Sequence, residues 1–336
     1  MAQSRPEFIE GTGFGLGSTR MKMIFVALLA ICLLHTSVQA ADKIRISTPG
    51  DAAHFTMHLA QKRGFLKEEG LDAEIIRITG AASRAALSSG EVDYGTGLGS
   101  NIGLAMTGLP IKVVACYVPA PVLALVARAE VKTVQALRGK TVGILVFGGV
   151  AHFAARTIAK HFGVDPEKEL KFIAVGAVEA RFAALTQGLI DAALLAPPLD
   201  AEAKKRGFNI LARADEILIF PETGLVSGVK KLQEKPDEIK RAIRAGIKAN
   251  RYIRGNRDGT IQFIMEWLKI NREVAAATYD GVAKAYNDDI SVCEKGLRLV
   301  IDETKKTQKI NREVALSEVA DLSFLREAQR ELGNKP

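Results

Sequence analysis

Short apolar segments alternate with amphipathic segments over residues 43–220, and this alternation predicts strands separated by helices. The apolar runs have the length of buried strands, whereas the intervening segments repeat apolar residues every three or four positions. The predicted strands are 43–47, 74–78, 92–97, 112–118, 142–146, 172–175, 192–195, 211–214 and 217–220. The sequence therefore favours an α/β fold with largely parallel sheets.

The strand and helix pattern occurs twice, and its second copy starts near Thr133. From Pro236 onward the pattern is almost entirely helical, with predicted helices over 237–252, 260–268, 272–286 and 292–307. The heptapeptide Lys-Ile-Asn-Arg-Glu-Val-Ala occurs at 269–275 and again at 309–315. Each copy is expected to place its asparagine, Asn271 or Asn311, at a helix N-cap.

The N-terminal segment has the pattern of a secretory signal peptide. Arg20 and Lys22 precede the 11 apolar residues 24–34, and Ala40 ends a small-residue cleavage pattern. Because a membrane-spanning helix needs about 20 apolar residues, cleavage is favoured over anchoring. We expect residues 1–40 to be leader and signal peptide and the mature chain to start near Ala41, in the periplasm.

The composition is that of an ordinary globular protein, with 48% hydrophobic and 25% charged residues. The net charge is +8, but the basic residues are scattered among acidic ones, so a nucleic-acid partner is not expected. We expect a monomer. Beyond the leader only Cys116 and Cys293 remain; they could pair in an oxidising compartment, although two buried free thiols are favoured.

The patterns of known enzyme and metal sites are missing from the sequence. His54 and His58 are four residues apart, but they do not form a His-Glu-x-x-His motif. No Gly-x-Ser-x-Gly elbow occurs, and no characteristic motif surrounds the cysteines. We therefore expect no catalytic residue, no metal and no cofactor.

Loops rich in small residues follow several predicted strands, at 50–54, 80–83, 97–101 and 147–152. Open α/β sheets bind ligands at the carboxyl ends of their strands. Small residues let backbone N–H groups approach a ligand, and a helix that starts there adds the positive end of its dipole. An anionic or carbonyl-bearing ligand would fit such loops. Arg84, Arg156 and Arg181, near the starts of the following helices, are candidates to pair with an anion.

Four segments resemble those of the sulfonate, nitrate, taurine and thiamine-pyrimidine binding proteins of ABC importers. Phe65-Leu-Lys-Glu-Glu-Gly-Leu-Asp72 is similar to their GFF-x-x-EGL-D segment, and Leu137-Arg-Gly-Lys-Thr-Val-Gly143 to their L-x-GK-x-VG segment. Ala86-Leu-Ser-Ser-Gly-Glu-Val-Asp93 and Ala184-Leu-Thr-Gln-Gly-Leu-Ile-Asp191 each resemble AL-x-x-G-x-x-D. In these last segments we expect Gly90 and Gly188 to end helices and Asp93 and Asp191 to start strands.

The resemblance implies a type II periplasmic-binding-protein fold, in which two α/β lobes are joined by two hinge strands and a helical C-terminal region follows. The implied division is 41–117 for the first part of lobe 1, 118–218 for lobe 2, and 219–336 for the return to lobe 1 and the C-terminal helices. The hinge crossings are expected at 116–119 and 217–221. The implied ligand cleft contains Asp51, Ala52, His54, Ser83, Ser100, Asn101, Val150, Ala151 and His152, with Pro197 and Thr223 at its rim.

The resemblance also implies a function: a periplasmic protein that binds a small anionic or planar organic ligand and delivers it to an ABC permease. Two alternatives stay open. One is a secreted enzyme on the same scaffold, with His54 or His152 as general base. The other is the binding protein of a secondary, TRAP-type transporter. The family's pyrimidine-synthesising enzymes carry a cysteine-rich iron motif that this sequence lacks, so pyrimidine synthesis is not implied.

Overall fold

The computed structural model describes residues 1, 41–50, 53–78, 80–145, 147, 149–287 and 290–333. Within these ranges the side chains of residues 80, 81, 100, 290–292 and 307 are not described. The predicted signal peptide and two predicted cleft residues, Asp51 and Ala52, lie outside the described residues.

The first sheet has five strands in the order β2-β1-β3-β10-β4. These strands are β1 (Asp42–Thr48), β2 (Leu71–Arg77), β3 (Tyr94–Gly97), β4 (Ile111–Val118) and β10 (Thr223–Gly228). β1 pairs in parallel with β2 and β3, whereas β10 is antiparallel to both β3 and β4. The α/β fold is as predicted, but the sheet is mixed and not largely parallel, because β10 is antiparallel to both of its neighbours.

The second sheet also has five strands, in the order β7-β6-β8-β5-β9. They are β5 (Ala124–Ala127), β6 (Thr141–Ile144), β7 (Lys171–Ala174), β8 (Ala192–Leu195) and β9 (Asn209–Arg213). β6 is parallel to β7 and β8, and β5 is antiparallel to β8 and β9. The two sheets therefore share one plan, in which a single antiparallel strand separates the parallel strands from an edge strand.

The chain crosses between the sheets twice, over residues 119–123 and 214–222. The two crossings are bonded to each other, because the N–H groups of Phe220 and Glu222 donate to the carbonyls of Pro119 and Val118 at 2.7 and 2.9 Å. The predicted strand 217–220 is wrong: this segment is irregular, and the strand begins at Thr223. Pro221 lacks the N–H that a strand ladder needs, which explains why the strand starts only after it.

Helices cover the sheets and form most of the C-terminal region. They are α1 (Thr56–Lys62), α2 (Phe65–Glu68), α3 (Gly80–Ser89), α4 (Gly99–Met106), α5 (Val150–His161), α6 (Val178–Thr186), α7 (Leu199–Lys205), α8 (Val229–Glu234), α9 (Pro236–Gly255), α10 (Arg257–Leu268), α11 (Arg272–Val282), α12 (Ile290–Gln308), α13 (Leu316–Val319) and α14 (Ser323–Glu331). The sequence pattern did not predict α4, α7, α8 or the strand β5. Gly64, with a φ of 82°, separates α1 from α2.

The repeated heptapeptide folds in two different ways. Lys269 and Lys309 both have a left-handed backbone, with φ of 54° and 55°, and both end a helix. Asn271 then caps α11 as predicted, since its side chain accepts from the N–H of Val274 at 3.0 Å. The prediction for Asn311 is wrong, because the next helix, α13, starts only at Leu316.

The paired AL-x-x-G-x-x-D segments serve the scaffold, as predicted. Gly90 and Gly188 have φ of 78° and 72° at the ends of α3 and α6, where a left-handed residue terminates a helix. Asp93 accepts a hydrogen bond from the N–H of Arg45 at 2.7 Å. Asp191 does the same for the N–H of Thr141 at 2.9 Å. Each aspartate thus ties the start of one strand to its parallel neighbour.

The C-terminal helices share the apolar core of the first sheet. Phe55, just before α1, is fully buried and lies 4.8 Å from the ring of Tyr286 and 5.7 Å from that of Phe263. Cys116 and Cys293 are both buried and both free thiols, which confirms the favoured prediction. Among the described residues, we find no helix with the length and hydropathy required to span a bilayer.

Candidate ligand cavity

A cavity of about 520 Å³ lies at the starts of α4 and α5, which follow strands of different sheets. Its lining residues are Arg84, Gly99, Gly103, Leu104, Thr107, Gly149, Val150, His152, Phe153, Arg156, Phe220, Val300, Glu303, Thr304 and Gln308. The two helix starts are close together: a Cβ atom on Gly99 would lie 3.8 Å from Cγ2 of Val150. The cavity therefore has walls from helices that follow strands of both sheets and from α12.

The starts of α4 and α5 give this cavity a positive character. Leu98 and Gly149 occupy the two N-cap positions, and neither helix has a side-chain hydrogen bond at its cap. The first N–H groups of a helix have no partner within the helix, and the helix dipole places partial positive charge there. These helix starts can therefore receive an anionic group.

Two of the three candidate arginines line the cavity, and they approach it from different sheets. Arg84 is in α3, which follows β2 of the first sheet. Arg156 is in α5, which follows β6 of the second sheet. Arg156 forms an ion pair with Glu167, while its Nε is buried and has no hydrogen-bond partner. A buried donor without a partner is costly, so this atom is ready to bind an acceptor.

The third candidate, Arg181, has a structural role instead. Its side chain is buried and donates to the carbonyls of Leu194 at 2.8 Å and Gly176 at 2.6 Å. Burial lowers the pKa of Arg181 to about 10, which still leaves it charged at neutral pH. It holds the loop before α6 against β8 and does not line the cavity.

His152, a predicted cleft residue, lines the cavity. Its ring packs edge to face between Phe147 and Phe172, with centroid distances of 5.4 and 4.8 Å. Burial, with a smaller contribution from the charge of Arg156, lowers the pKa of His152. The ring is therefore neutral at pH 7, and it can donate or accept one hydrogen bond without adding charge.

Val150 and Ala151 lie in the first turn of α5, where Val150 lines the cavity and Ala151 is buried. Ser100 lies in the first turn of α4.

Other predicted residues gather at a polar cluster inside the first sheet. Ser83 and Ser47 are hydrogen bonded through their hydroxyls at 3.0 Å. Ser47 and Asn101 both approach Gly95, at 3.5 and 3.7 Å from where its Cβ would be. Asn101 also donates from Nδ2 to the carbonyl of Gly97 at 2.6 Å. This cluster is on the opposite side of α4 from Gly99 and Gly103, which line the cavity.

Three buried oxygens near this cluster have no hydrogen-bond partner: Thr96 Oγ1, Asn101 Oδ1 and Thr223 Oγ1. Thr223, a predicted rim residue, is the first residue of β10 and pairs with Gly97. Buried polar atoms are almost always hydrogen bonded, and exceptions commonly mark functional sites or bound water. The oxygens therefore indicate a polar position at the ends of β3 and β10 that a ligand or water can complete.

Two predicted residues lie away from the cavity lining. His54 is buried before α1 and is close enough to His58 to affect its ionisation. Pro197 is buried beneath α11, with its Cγ 3.5 Å from where a Cβ of Gly281 would be. Within the described residues, no group of three His, Cys, Asp or Glu side chains could hold a metal ion.

The sequence did not predict the wall that α12 contributes through Val300, Glu303, Thr304 and Gln308. Helix α12 packs against α4 at Gly103, where a Cβ would lie 3.3 Å from Nε2 of Gln308. The signal in the sequence was the spacing of Gly99 and Gly103. Two glycines four residues apart share one helix face and permit the close approach of another helix.

Comparisons with known proteins agree with this architecture. A family model described as "NMT1/THI5 like" matches residues 51–259. The 4-amino-5-hydroxymethyl-2-methylpyrimidine phosphate synthase THI12 of Saccharomyces cerevisiae is 25% identical over 219 residues, which cover 60% of this chain and 63% of that protein. The chain thus matches less than two thirds of that relative's length.

Solved structures show the fold more completely. The periplasmic aliphatic sulphonate binding protein SsuA of Escherichia coli has a TM-score of 0.69 at 17% identity, covering 83% of this chain and 92% of that one. The periplasmic nitrate-binding protein NrtA of Synechocystis PCC 6803 has a TM-score of 0.70 at 15% identity, covering 87% and 89%. The predicted periplasmic-binding-protein fold is therefore confirmed.

Proposed function

Because this chain belongs to the NMT1/THI5-like family, we propose that it is an exported solute-binding protein that captures a small anionic or planar organic ligand. It delivers that ligand to an ABC permease in the inner membrane and makes or breaks no covalent bond. The fold it shares with proteins named as sulphonate- and nitrate-binding supports this proposal.

The observation that carries the proposal is the placement of Arg84 and Arg156 around one cavity. The two arginines come from helices that follow strands of different sheets, and the uncapped starts of α4 and α5 line the same cavity. An anion bound there would contact both halves of the molecule. The neutral ring of His152 and the rings of Phe153 and Phe220 offer packing for an uncharged or planar part of the ligand.

Such a ligand favours closure of the two halves, because it gains contacts on both sides only in the closed state. The crossings 119–123 and 214–222 are the proposed hinge. The proposed lobes are 41–117 with the return from 219 onward, and 118–218. A closed, ligand-bound form is then what the permease recognises.

The polar cluster near Gly95 is the proposed second part of the site. The proposed contacts are Val150 and His152 at the cavity, Ser100 in the first turn of α4, and Ser83, Asn101 and Thr223 at the polar cluster. The buried oxygens of Asn101 and Thr223 that have no partner support this assignment.

A thermal-shift screen tests the proposal, with nitrate, sulfonates, carboxylates and pyrimidines as the panel. A ligand that binds only the folded state raises the Tm, by about 5 °C at 100 times its Kd. We expect a concentration-dependent rise with at least one anionic member and none with chloride at equal ionic strength. A panel without any shift would contradict an anion-binding role.

An enzyme is the second candidate, because the yeast relative is named as a synthase. The two functions differ in the fate of the ligand. Prolonged incubation of the protein with the ligand found in the screen, followed by mass spectrometry, should recover the ligand unchanged. A new product whose yield grows with protein concentration would establish the enzyme instead.

A further inference from the structure

A second cavity, of about 460 Å³, lies next to the ligand cavity and shares part of its wall. Phe153, Arg156 and Glu303 line both cavities. The second cavity is otherwise lined by residues 217–219 of the second crossing, by Thr157 and Lys160 of α5, and by Lys295 and Leu299 of α12. The two cavities are therefore adjacent between α5 and α12.

One stripe of each flanking helix faces the second cavity. The lining residues of α5 are 153, 156, 157 and 160, and those of α12 are 295, 299 and 303. Residues three or four positions apart lie on one face of a helix. Along α5 the stripe leads from the shared residue Arg156 away to Lys160, and along α12 it leads from Glu303 back to Lys295. Both lysines are therefore at the end of the second cavity that is farthest from the shared wall.

The walls between the shared residues and the lysines are apolar. Ile219 and Leu299 line the second cavity and are each 39% exposed. Gly296 lets α12 approach the crossing, since a Cβ there would lie 3.2 Å from Cγ2 of Ile219. Phe153 packs on Phe220 with ring centroids 5.3 Å apart. A ligand that covers these side chains removes apolar surface from water, which favours binding.

The far end of the second cavity has a positive charge that the protein does not neutralise. Lys160 and Lys295 are exposed, and neither side chain forms an ion pair with a described residue. Glu303 is the one acid among the described lining residues, and Lys306 pairs with it at 2.8 Å. An anionic group at this end would therefore be attracted by two lysines.

We propose that the solute carries two anionic groups joined by an apolar spacer and that it spans both cavities. One anionic group binds at the starts of α4 and α5, beside Arg84 and Arg156. The spacer covers Ile219 and Leu299, and the second anionic group pairs with the two lysines. The inference rests on the proposed function, which supplies the first of the two anion sites.

The spacer has to be long. Ten residues separate Val150, at the start of α5, from Lys160, which is about 15 Å along the helix axis at 1.5 Å per residue. The flexible stems of the lysines can reach back over part of that distance, with their hydrocarbon on the apolar wall. An inorganic anion such as nitrate would leave most of both cavities empty.

Calorimetric titration of the purified protein with two matched pairs of ligands tests the proposal. The pairs are suberate with octanoate and sebacate with decanoate, which differ only in the second carboxylate. We expect the dicarboxylate to bind about tenfold more tightly than its partner in at least one pair. Equal or weaker binding of both dicarboxylates would overturn the proposal, and so would the absence of binding by all four.

The same result distinguishes this inference from the proposed function. Tight binding of a monoanion, without any gain from a second carboxylate, leaves anion capture intact and removes only the second anion site. Failure of every anion in the thermal-shift screen would remove the proposed function as well.

A double variant, Lys160→Gln with Lys295→Gln, locates the second anionic group. We expect it to raise the Kd of the preferred dicarboxylate to that of its monocarboxylate partner, whose own Kd stays unchanged. Lys168→Gln is the matched control, because its side chain is 84% exposed and lines neither cavity. It should leave both Kd values unchanged. A double variant that binds the dicarboxylate as tightly as wild type would overturn the assignment.

Discussion

Gly224 shows how tightly single residues are constrained near the hinge. It lies in β10 opposite Cys116, and a Cβ there would be 1.9 Å from the carbonyl oxygen of Ala115. That contact is with backbone, which cannot rotate away as a side chain would. We expect Gly224→Ala to lower the free energy of unfolding by about 3 kcal/mol or more.

Gly228, at the end of the same strand, is the matched control. A Cβ there would be 4.0 Å from its nearest neighbour, the carbonyl oxygen of Pro110. Urea unfolding of Gly228→Ala should give a free energy within about 1 kcal/mol of wild type. Equal stability of the two variants would show that β10 does not pack as described.

His58 makes stability depend on pH. Burial, followed by the proximity of His54, lowers its pKa below the ordinary value of 6.5. Because the unfolded chain then binds more protons than the folded chain, stability falls as the pH drops through about 6.5 towards the lowered pKa. We expect His58→Gln to lose less Tm than wild type between pH 7.5 and pH 5. Parallel curves of Tm against pH would contradict this.

At the scale of elements, Lys231 joins β3 to α8 and α9. Its Nζ lies 2.6 Å from Oδ1 of Asp93 and 2.7 Å from Oε1 of Glu238, which also accepts from the Tyr94 hydroxyl at 2.9 Å. The Glu238 side chain is only 6% exposed. Removing the cation leaves buried carboxylates without a partner, so Lys231→Met should cost about 3–5 kcal/mol in chemical denaturation.

The neighbouring Lys230 offers the control for that substitution. Its side chain is 85% exposed and lies 3.9 Å from Glu234. An exposed pair of this kind contributes little, so Lys230→Met should change the free energy of unfolding by less than about 0.5 kcal/mol. A loss at Lys231 no greater than that at Lys230 would refute the buried network.

The elements that the sequence predicted are those whose signals are local. Asn271 caps a helix because its side chain and the N–H of Val274 are three residues apart. The same heptapeptide does not form a helix start at Asn311, where the next residue makes a contact distant in sequence: Arg312 donates to the carbonyl of Met106 at 3.2 Å. A short apolar segment such as β5 carries no periodicity that separates it from a loop.

At the scale of the whole molecule, the duplication of the strand pattern was sufficient to predict two sheets of similar plan. The cavity was only partly predictable. Val150 and His152 could be predicted as cavity residues, because they lie just after the loop that follows β6. Ser83 and Asn101 were predicted in the same way, but they turn towards Gly95 on the other side of α4. The α12 wall was missed because residues 300–308 reach the cavity only through tertiary packing.

Calorimetric titration of the ligand found in the screen tests the central claim most directly, using Arg84→Gln, Arg156→Gln and the control Arg272→Gln. The control side chain is 59% exposed, where it pairs with Asp258. If one anion is held by both halves, each cavity variant should raise the Kd about tenfold or more, while Arg272→Gln leaves it unchanged. Unaltered binding in both cavity variants would contradict capture between the two sheets.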